Sequence, residues 1–404
     1  MAFAHPLERR EFTGFAAVVV VATGLAIMFV GAVLPTPLYP LYQQRFGFSN
    51  VVLTLIYAVY VLGNLVALLI FGRLSDQVGR RNATLPAIGF GVISTILFLF
   101  AESTGWLFAA RLVSGFATGL ASGTATAWIS ELPASGGKSG TGRIASTANF
   151  IGLAAGPLAA GLLASFAPWP LHLPYVIYLL VLLTIGAAII FTTETVDDPI
   201  RHIRDLSLTP RLGVPPKIRM QLVSPAITGF VVFALLGFYA ALIPNLLADS
   251  LQQKSPAVSG STVFELFAVA AVSVNLTGRL ASGTAMLSGL ALLPPSLWLL
   301  VAAELTHSMP LLLCATALGG VSAALGYRGS LEEANRIAPS DQRSEVVSSY
   351  LIAVYAGNSV PVIGIGLLAA ITSSTTAHVS FAAIITVLAS IALLVGIKAP
   401  PAEN

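Results

Sequence analysis

Few residues of this 404-residue chain could do chemistry in apolar surroundings, and their types and spacing restrict what that chemistry is. Arg111 and Glu265 lie within long apolar runs, "LFAARLVSGFATG" and "FELFAVAAV". An arginine in hydrocarbon costs on the order of 2.5 kcal/mol or more, so it faces a cavity or a partner, or else snorkels to the nearer surface. A carboxyl in such a run can hold a proton and release it, unless the helix begins late and leaves it interfacial. Tyr57, Tyr60 and Asn64 fall at i, i+3 and i+7 on one helical face, and Tyr355 with Asn358 repeats the first spacing. Asn149 and Asn245 are isolated polar residues. Such aromatic and amide groups either hold an amphipathic organic molecule without strict geometry or bond helix to helix. This is equipment for binding and proton transfer. No Walker loop, HExxH or nucleophile elbow is present, so no enzyme and no cofactor is expected. With 5 Met and 5 His spread along the chain, no metal site is expected either.

A second group of polar residues is crowded into "FGRLSDQVGRRNATL". Charged residues are 9% of the chain, yet Arg73, Asp76, Arg80 and Arg81 fall in this one stretch between two apolar runs. Gly72 there would permit close approach of a helix, and Gly79 would let the backbone turn where a side chain strains it. Asp76 can face the positive end of a helix dipole while Arg80 pairs with another carboxylate. Further on, "GLAAGPLAAG" carries Gly152, Gly156, Pro157 and Gly161, small residues four apart that favour close helix packing, with a proline that removes a backbone bond.

The elements that must position these groups follow from composition. Hydrophobic residues make up 56% of the chain and the mean hydropathy is +0.87, against roughly 25% charged residues in ordinary soluble domains. Apolar runs of about 20 residues, the length that spans a bilayer as a helix, recur throughout. Spans are expected near 13–36, 50–72, 82–101, 106–129, 144–167 and 173–192, then 221–248, 258–277, 281–304, 309–328, 346–371 and 377–397. The fold class is therefore all-α, a polytopic membrane protein of twelve helices. The net charge of +3 is scattered between spans, which excludes a nucleic-acid footprint. Cys314, the single cysteine, is expected to be a small buried hydrophobe. The N-terminal "MAFAHPLERREF" does not resemble a signal peptide. Lysine and arginine crowd the loops on the side of both ends, including Arg9, Arg10, Lys138, Arg201, Arg204 and Arg211. Only Arg45 and Lys254 fall opposite, so both termini are expected in the cytoplasm, in a cell inner (plasma) membrane.

The chain also repeats itself. "LPTPLYPLYQQR" aligns with "IPNLLADSLQQK", "GRLS" at Gly72 with "GRLA" at Gly278, and "GPLAAGLLA" with "PVIGIGLLA". Two six-helix halves, 1–192 and 221–404, joined by a cytoplasmic linker at 193–220, are expected. This is a transporter arrangement, with a site near the midplane between halves.

On these residues the chain resembles the major facilitator superfamily. Gly72, Leu74, Asp76, Gly79, Arg80 and Arg81 follow the family's loop pattern between the second and third spans, with Gln77 where a basic residue is usual. Leu107, Arg111, Gly115 and Gly119 follow its span-four pattern. Gly152, Gly156, Pro157 and Gly161 follow its span-five pattern, with Ala160 in place of a glycine. The resemblance implies a cytoplasmic gate that latches the halves together when the site faces outward, through the loop cluster and Glu131 of "WISELP", which fits the position of the carboxylate partner of Arg80. It implies proton coupling or anion attraction at Arg111. The span-five form is similar to that of drug:proton antiporters. The expected function is export of small amphipathic organic compounds in exchange for protons, by a chain acting as a monomer among membrane lipid. The alternative is a symporter or uniporter for a polar metabolite or organic anion.

Overall fold

The structure, a computed structural model, describes residues 11–72, 74–132, 137–197, 199–200 and 212–398, the side chains of 137–141 apart. Arg73, the six basic residues named above as fixing orientation, and the middle of the expected linker lie outside the described residues or side chains. Among the described residues there are twelve helices of 18 residues or more: α1 Gly14–Val33, α2 Asn50–Phe71, α3 Arg80–Leu99, α4 Thr104–Glu131, α5 Gly137–Phe166 and α6 Leu173–Ile190 form the first six. The second six are α7 Arg219–Ala241, α8 Pro256–Leu276, α9 Ser282–Leu305, α10 Met309–Ile337, α11 Arg343–Ile371 and α12 Ser374–Lys398. Eleven of them are long and apolar enough to cross a membrane. The exception is α4, whose apolar run is diluted by glycine, serine and threonine.

Most boundaries fall near those expected, and the departures have local causes. The first and seventh spans stop early, at Val33 and Ala241, and each is followed by a short helix, Tyr39–Phe46 and Ile243–Asp249. Pro35 and Pro244, aligned in the repeat, stand at these breaks, where the missing N–H and fixed φ interrupt a straight helix. At the other end α10 runs nine residues past the expected 328, because a helix can leave the apolar layer and continue with Glu332, Glu333 and Arg336 in water. Cys314 is exposed on α10 rather than buried. In a lipid-matched bundle the outer surface is itself apolar, so an apolar run does not say which of its residues face inward.

Both ends of the described chain lie on one face of the bundle, called here the terminal face; the other is the far face. Within the first six helices α1 packs on α5, α2 on α4, and α3 on α4 and α6. The second six repeat this as α7 on α11, α8 on α10, and α9 on α10 and α12, while α5 meets α8 and α2 meets α11 across the halves. The repeat extends to single contacts. A Cβ at Gly115 would lie 1.9 Å from the Tyr60 carbonyl oxygen, and one at Gly320 would lie 2.5 Å from that of Leu266. Likewise Gly152 faces the Ala26 carbonyl at 2.1 Å and Gly357 that of Phe230 at 2.1 Å. Each pair of glycines is 205 positions apart, 115 to 320 and 152 to 357. Backbone meets backbone at these four points because no side chain intervenes.

Gly115→Val and Gly320→Val are therefore expected to push paired helices apart. Overpacking of this kind costs about 1–3 kcal/mol or more and should lower the thermal midpoint in detergent. Gly89→Ala, where an added Cβ meets nothing within 4 Å, should leave it unchanged. Equal midpoints for all three variants would show that these contacts do not set the helix spacing.

Candidate functional site

A cavity lies between the halves at mid-depth, enclosing about 710 Å³ of atom-free space, part of it open. Tyr57, Tyr60, Asn64, Asn149, Tyr355 and Asn358, six of the seven residues expected to bind substrate, line it. The remaining walls are apolar or aromatic, including Phe29, Phe150, Phe233, Phe267 and Tyr327. No charged side chain lines it among the described residues. The polar groups bond partly to each other: Tyr57 Oη donates to Asn358 Oδ1 across the halves at 3.0 Å, and Asn64 Nδ2 donates to Tyr60 Oη at 3.3 Å. Asn149 Oδ1 has no protein partner among the described residues and remains free for a ligand. The seventh, Asn245, is elsewhere. It sits at the far face, where its Nδ2 donates to Asn50 Oδ1 at 2.8 Å. It lies in the short helix after α7, beyond the cavity wall.

Arg111 is buried, 1% exposed, so it does not snorkel. Arg111, Gly115 and Gly119 fall four apart on the face of α4 turned to α2, and the close approach at Gly115 sets the guanidinium against the α2 tyrosines. Its Cζ lies 4.3 Å from the Tyr60 ring centroid and 5.5 Å from that of Tyr57, and Nη1 donates to the Ala32 carbonyl at 2.6 Å. Cation–π contact is worth ~2 kcal/mol or more when desolvated. No carboxylate pairs with Arg111 among the described residues, and its Nε has no partner there. The charge thus stands directly behind two rings of the cavity wall.

Glu265 is partly buried on α8, with Oε2 unpartnered among the described residues, and it does not line the cavity. It was expected to be the most interior acid, but Glu304, near the end of α9, is only 2% exposed. Sequence position made Glu304 interfacial; the chain packed around it removes the water. The α5 residues Gly152, Gly156, Pro157 and Gly161 also lie outside the cavity wall. Gly152 and Gly156 pack on the α1 carbonyls of Ala26 and Val30. On the side of α5 facing the other half, a Cβ at Gly161 would lie 2.4 Å from the Pro256 oxygen, and one at Gly260 of α8 would lie 2.2 Å from the Pro157 oxygen. This motif builds the seam between halves.

At the terminal face, Arg80 gathers the loop cluster. Its guanidinium makes two bonds to Glu131, Nη2 to Oε1 at 2.5 Å and Nε to Oε2 at 3.0 Å, and it also bonds Ser75 and pairs with Asp76. Asp76 lies in the first turn of a short helix, Leu74–Val78, and pairs there with Arg80. The start of α3 is met by Glu194, whose carboxylate accepts from the backbone N–H groups of Arg80 at 2.8 Å and Arg81 at 3.0 Å. Gly79 makes this possible: its φ is +99°, and a Cβ there would lie 2.6 Å from Glu194 Oε2. Gly72 meets no other helix; a Cβ would meet only the Leu68 carbonyl of its own chain. Among the described residues the hydrogen bonds and ion pairs of Asp76, Arg80, Arg81 and Glu131 run within residues 1–192 and to Glu194 and Thr195 of the expected linker, and none reaches the second six helices. Glu194 follows the sixth span by a few residues in "TTETV", and its being the first acid after an apolar run was the available signal.

Comparison with known proteins places the chain. The profile described as Major Facilitator Superfamily matches residues 20–293. A sugar transporter ERD6-like 6 of Arabidopsis thaliana is 28% identical over 108 residues, 27% of this chain and 21% of that protein. A solute carrier family 2, facilitated glucose transporter member 10 of Mus musculus is 36% identical over 109 residues, 27% of this chain and 20% of that protein. The chain thus spans about a fifth of the length of these curated relatives. Among solved structures, the human organic anion transporter MFSD10 (TETRAN) is similar over 97% of this chain and 100% of its own, with a TM-score of 0.67 at 18% identity. A bacterial homologue of the human lysosomal transporter Spinster, inward-facing and unoccupied, is similar over 97% and 98%, with a TM-score of 0.72 at 15% identity. At these identities the likeness is one of fold.

The terminal-face cluster has a defined acid response. Burial alone would raise the Glu131 carboxyl, but hydrogen bonds from Arg80 and Thr195 and the guanidinium charge outweigh it, and the net shift is downward. A carboxyl held below its unfolded value adds stability that is present above the ordinary carboxylate range and lost as pH falls through the lowered value. Glu131→Gln should therefore lower the thermal midpoint at neutral pH, and the gap from the parent should narrow as pH drops below about 4. A gap that persists undiminished in acid would mean that Glu131 is not stabilised by its charge.

Proposed function

The chain belongs to the Major Facilitator Superfamily, and on that footing we propose that this multi-pass membrane transporter exports small amphipathic organic compounds in exchange for protons. The observation that carries the reading is the wall of the central cavity: aromatic rings and amides drawn from both halves, with no charged side chain among the described lining residues. Such a wall offers apolar area and a few neutral hydrogen-bonding groups, which suits compounds of mixed polarity better than sugars, whose many hydroxyls require many fixed polar partners. Alternating access then follows from rocking one half on the other about the α2–α11 and α5–α8 seams.

Proton coupling is supported by Arg111, charged and without an acidic partner among the described residues, and by Glu265, whose Oε2 is unpartnered among them. Export is supported by the Gly-Pro motif of α5 and its resemblance to the drug:proton antiporter branch. In this reading the terminal face is cytoplasmic, the membrane is the cell inner (plasma) membrane, the protein acts as a monomer, and residues 1–192 and 221–404 are its moving halves. The cluster of Asp76, Arg80, Arg81 and Glu131 then engages the second half only when the cavity opens to the far face. One observation favours a second reading, uptake of an organic anion: the unpaired Arg111 charge behind the cavity wall would attract a negative substrate.

Reconstituted vesicles with an imposed pH gradient test this, with substrate flux and lumenal pH recorded together on a panel of fluorescent amphipathic cations and anions. Opposite movement of substrate and protons is expected, and co-directional movement would overturn export by exchange. Arg111→Ala should slow gradient-driven flux roughly tenfold or more, equivalent to ~1.4 kcal/mol of lost interaction, with Arg111→Lys in between. Wild-type flux in the alanine variant would remove Arg111 from the mechanism.

A further inference from the structure

The transport path proposed above leaves unused a buried acid–imidazole pair at the far face. Glu304, on the last turn of α9, and His378, on the first turns of α12, are 2% and 6% exposed. His378 Nδ1 lies 2.8 Å from Glu304 Oε2. The other carboxylate oxygen accepts from Thr375 Oγ1 at 2.8 Å and Ser250 Oγ at 3.3 Å. Phe238 of α7 stands edge-on to the imidazole, with centroids 5.2 Å apart. One carboxylate therefore ties α9 and α12 to the end of the short helix Ile243–Asp249.

That short helix makes the contact that closes the halves on this face. It carries Asn245, which donates to Asn50 of the first half at 2.8 Å, and nearby a Cβ at Gly366 of α11 would lie 2.6 Å from Thr54 of α2. The imidazole shares a small pocket with these groups, walled by Asn50, Asn245, Asp249, Ser250 and Gly366. Asp249 is the other titratable group on this wall. Close by, on the loop after α9, His307 Nδ1 lies 2.6 Å from the Ser250 carbonyl. No lysine or arginine lines the pocket among the described residues.

A buried carboxylate is tolerated only when its charge is matched or fully hydrogen-bonded. With Nδ1–H donating to Glu304, Nε2 is left to take up a proton; the imidazolium then cancels the carboxylate charge. Water admitted by an open far face would hydrate both groups and remove most of that advantage. We propose that Glu304 and His378 form a proton-binding site, loaded from the far side as Asn245 seats on Asn50, so that closure of that face takes up one proton. No covalent bond changes; the proton passes from far-side water to His378 Nε2. This inference deepens the exchange reading, on which its role in transport rests, by making closure of the far face itself sensitive to protons; the proton returns to far-side water when that face reopens.

The sign follows from linkage. The closed form binds the extra proton, so acid favours closure and alkali favours opening, by up to about tenfold per pH unit for one proton. The test uses the full chain with Cys314→Ser and a reporter, Leu246→Cys, since Leu246 lines the pocket and is 2% exposed. Labelling by a membrane-impermeant maleimide is followed between about pH 5.5 and 8.5, the range over which imidazole titrates, relative to a cysteine at exposed Gln252. Relative labelling should rise with pH in the parent and become flat in His378→Gln and Glu304→Gln. The double Gln variant, which buries no charge, gives the same comparison if a single variant misfolds. A pH response retained in the variants would overturn the site. The two readings separate cleanly. Flux indifferent to a pH gradient with a pair-dependent labelling response would sink exchange transport and keep the site; gradient-driven flux with a pair-independent response would do the reverse.

Discussion

Glycine set against a neighbouring carbonyl is the contact on which the rest of this structure depends. In lipid, apolar side chains gain little by leaving one apolar medium for another, so helices associate through dispersion and short polar contacts made possible by small residues. Gly115 brings α4 onto the backbone of α2, and from that spacing follow the stacking of Arg111 on Tyr60 and the position of the cavity wall. Gly152 and Gly357 fix α1 to α5 and α7 to α11 in the same manner. The Gly161–Pro256 and Gly260–Pro157 approaches then carry this mode of packing across the halves. Side chains add to that seam at Phe150 and Phe267, whose rings lie 6.4 Å apart, and at Asn275, which donates to Thr147 Oγ1 at 3.0 Å.

Charge is placed where this packing can afford it. The terminal-face cluster satisfies Arg80 four times over and caps α3 with Glu194, a dense network built from parts of the chain that adjoin α2, α3, α4 and α6. The second half has a smaller analogue, in which Glu333 accepts from Ser282 and pairs with Arg336 to tie α9 to α10. Arg111 lacks such a network. Its charge is met by ring faces and one carbonyl, a weaker settlement than a salt bridge and one that leaves the guanidinium able to attract an anion. The far face has its own buried pair, Glu304 and His378, directly under the Asn245–Asn50 contact between halves. Charged groups thus stand on both sides of a neutral cavity.

Residue order alone determined a good deal here. Composition and apolar run length gave a twelve-helix membrane bundle, since 56% hydrophobic residues have no other stable arrangement at this length. The internal repeat was legible because both halves solve the same packing problem with glycines at the same positions. The spacing of Tyr57, Tyr60, Asn64, Tyr355 and Asn358 placed them on cavity-facing surfaces, because helical periodicity is a local property. Tertiary structure decided what local periodicity cannot carry. It joined Asn245 to Asn50 at the far face, set Glu194 against the start of α3, and turned Cys314 outward. It buried Glu304 more deeply than Glu265 by packing Ser250, Thr375 and His378 over it, residues drawn from 54 to 74 positions away. Burial at a helix end depends on which distant segment comes to cover it, and that choice belongs to the packed bundle.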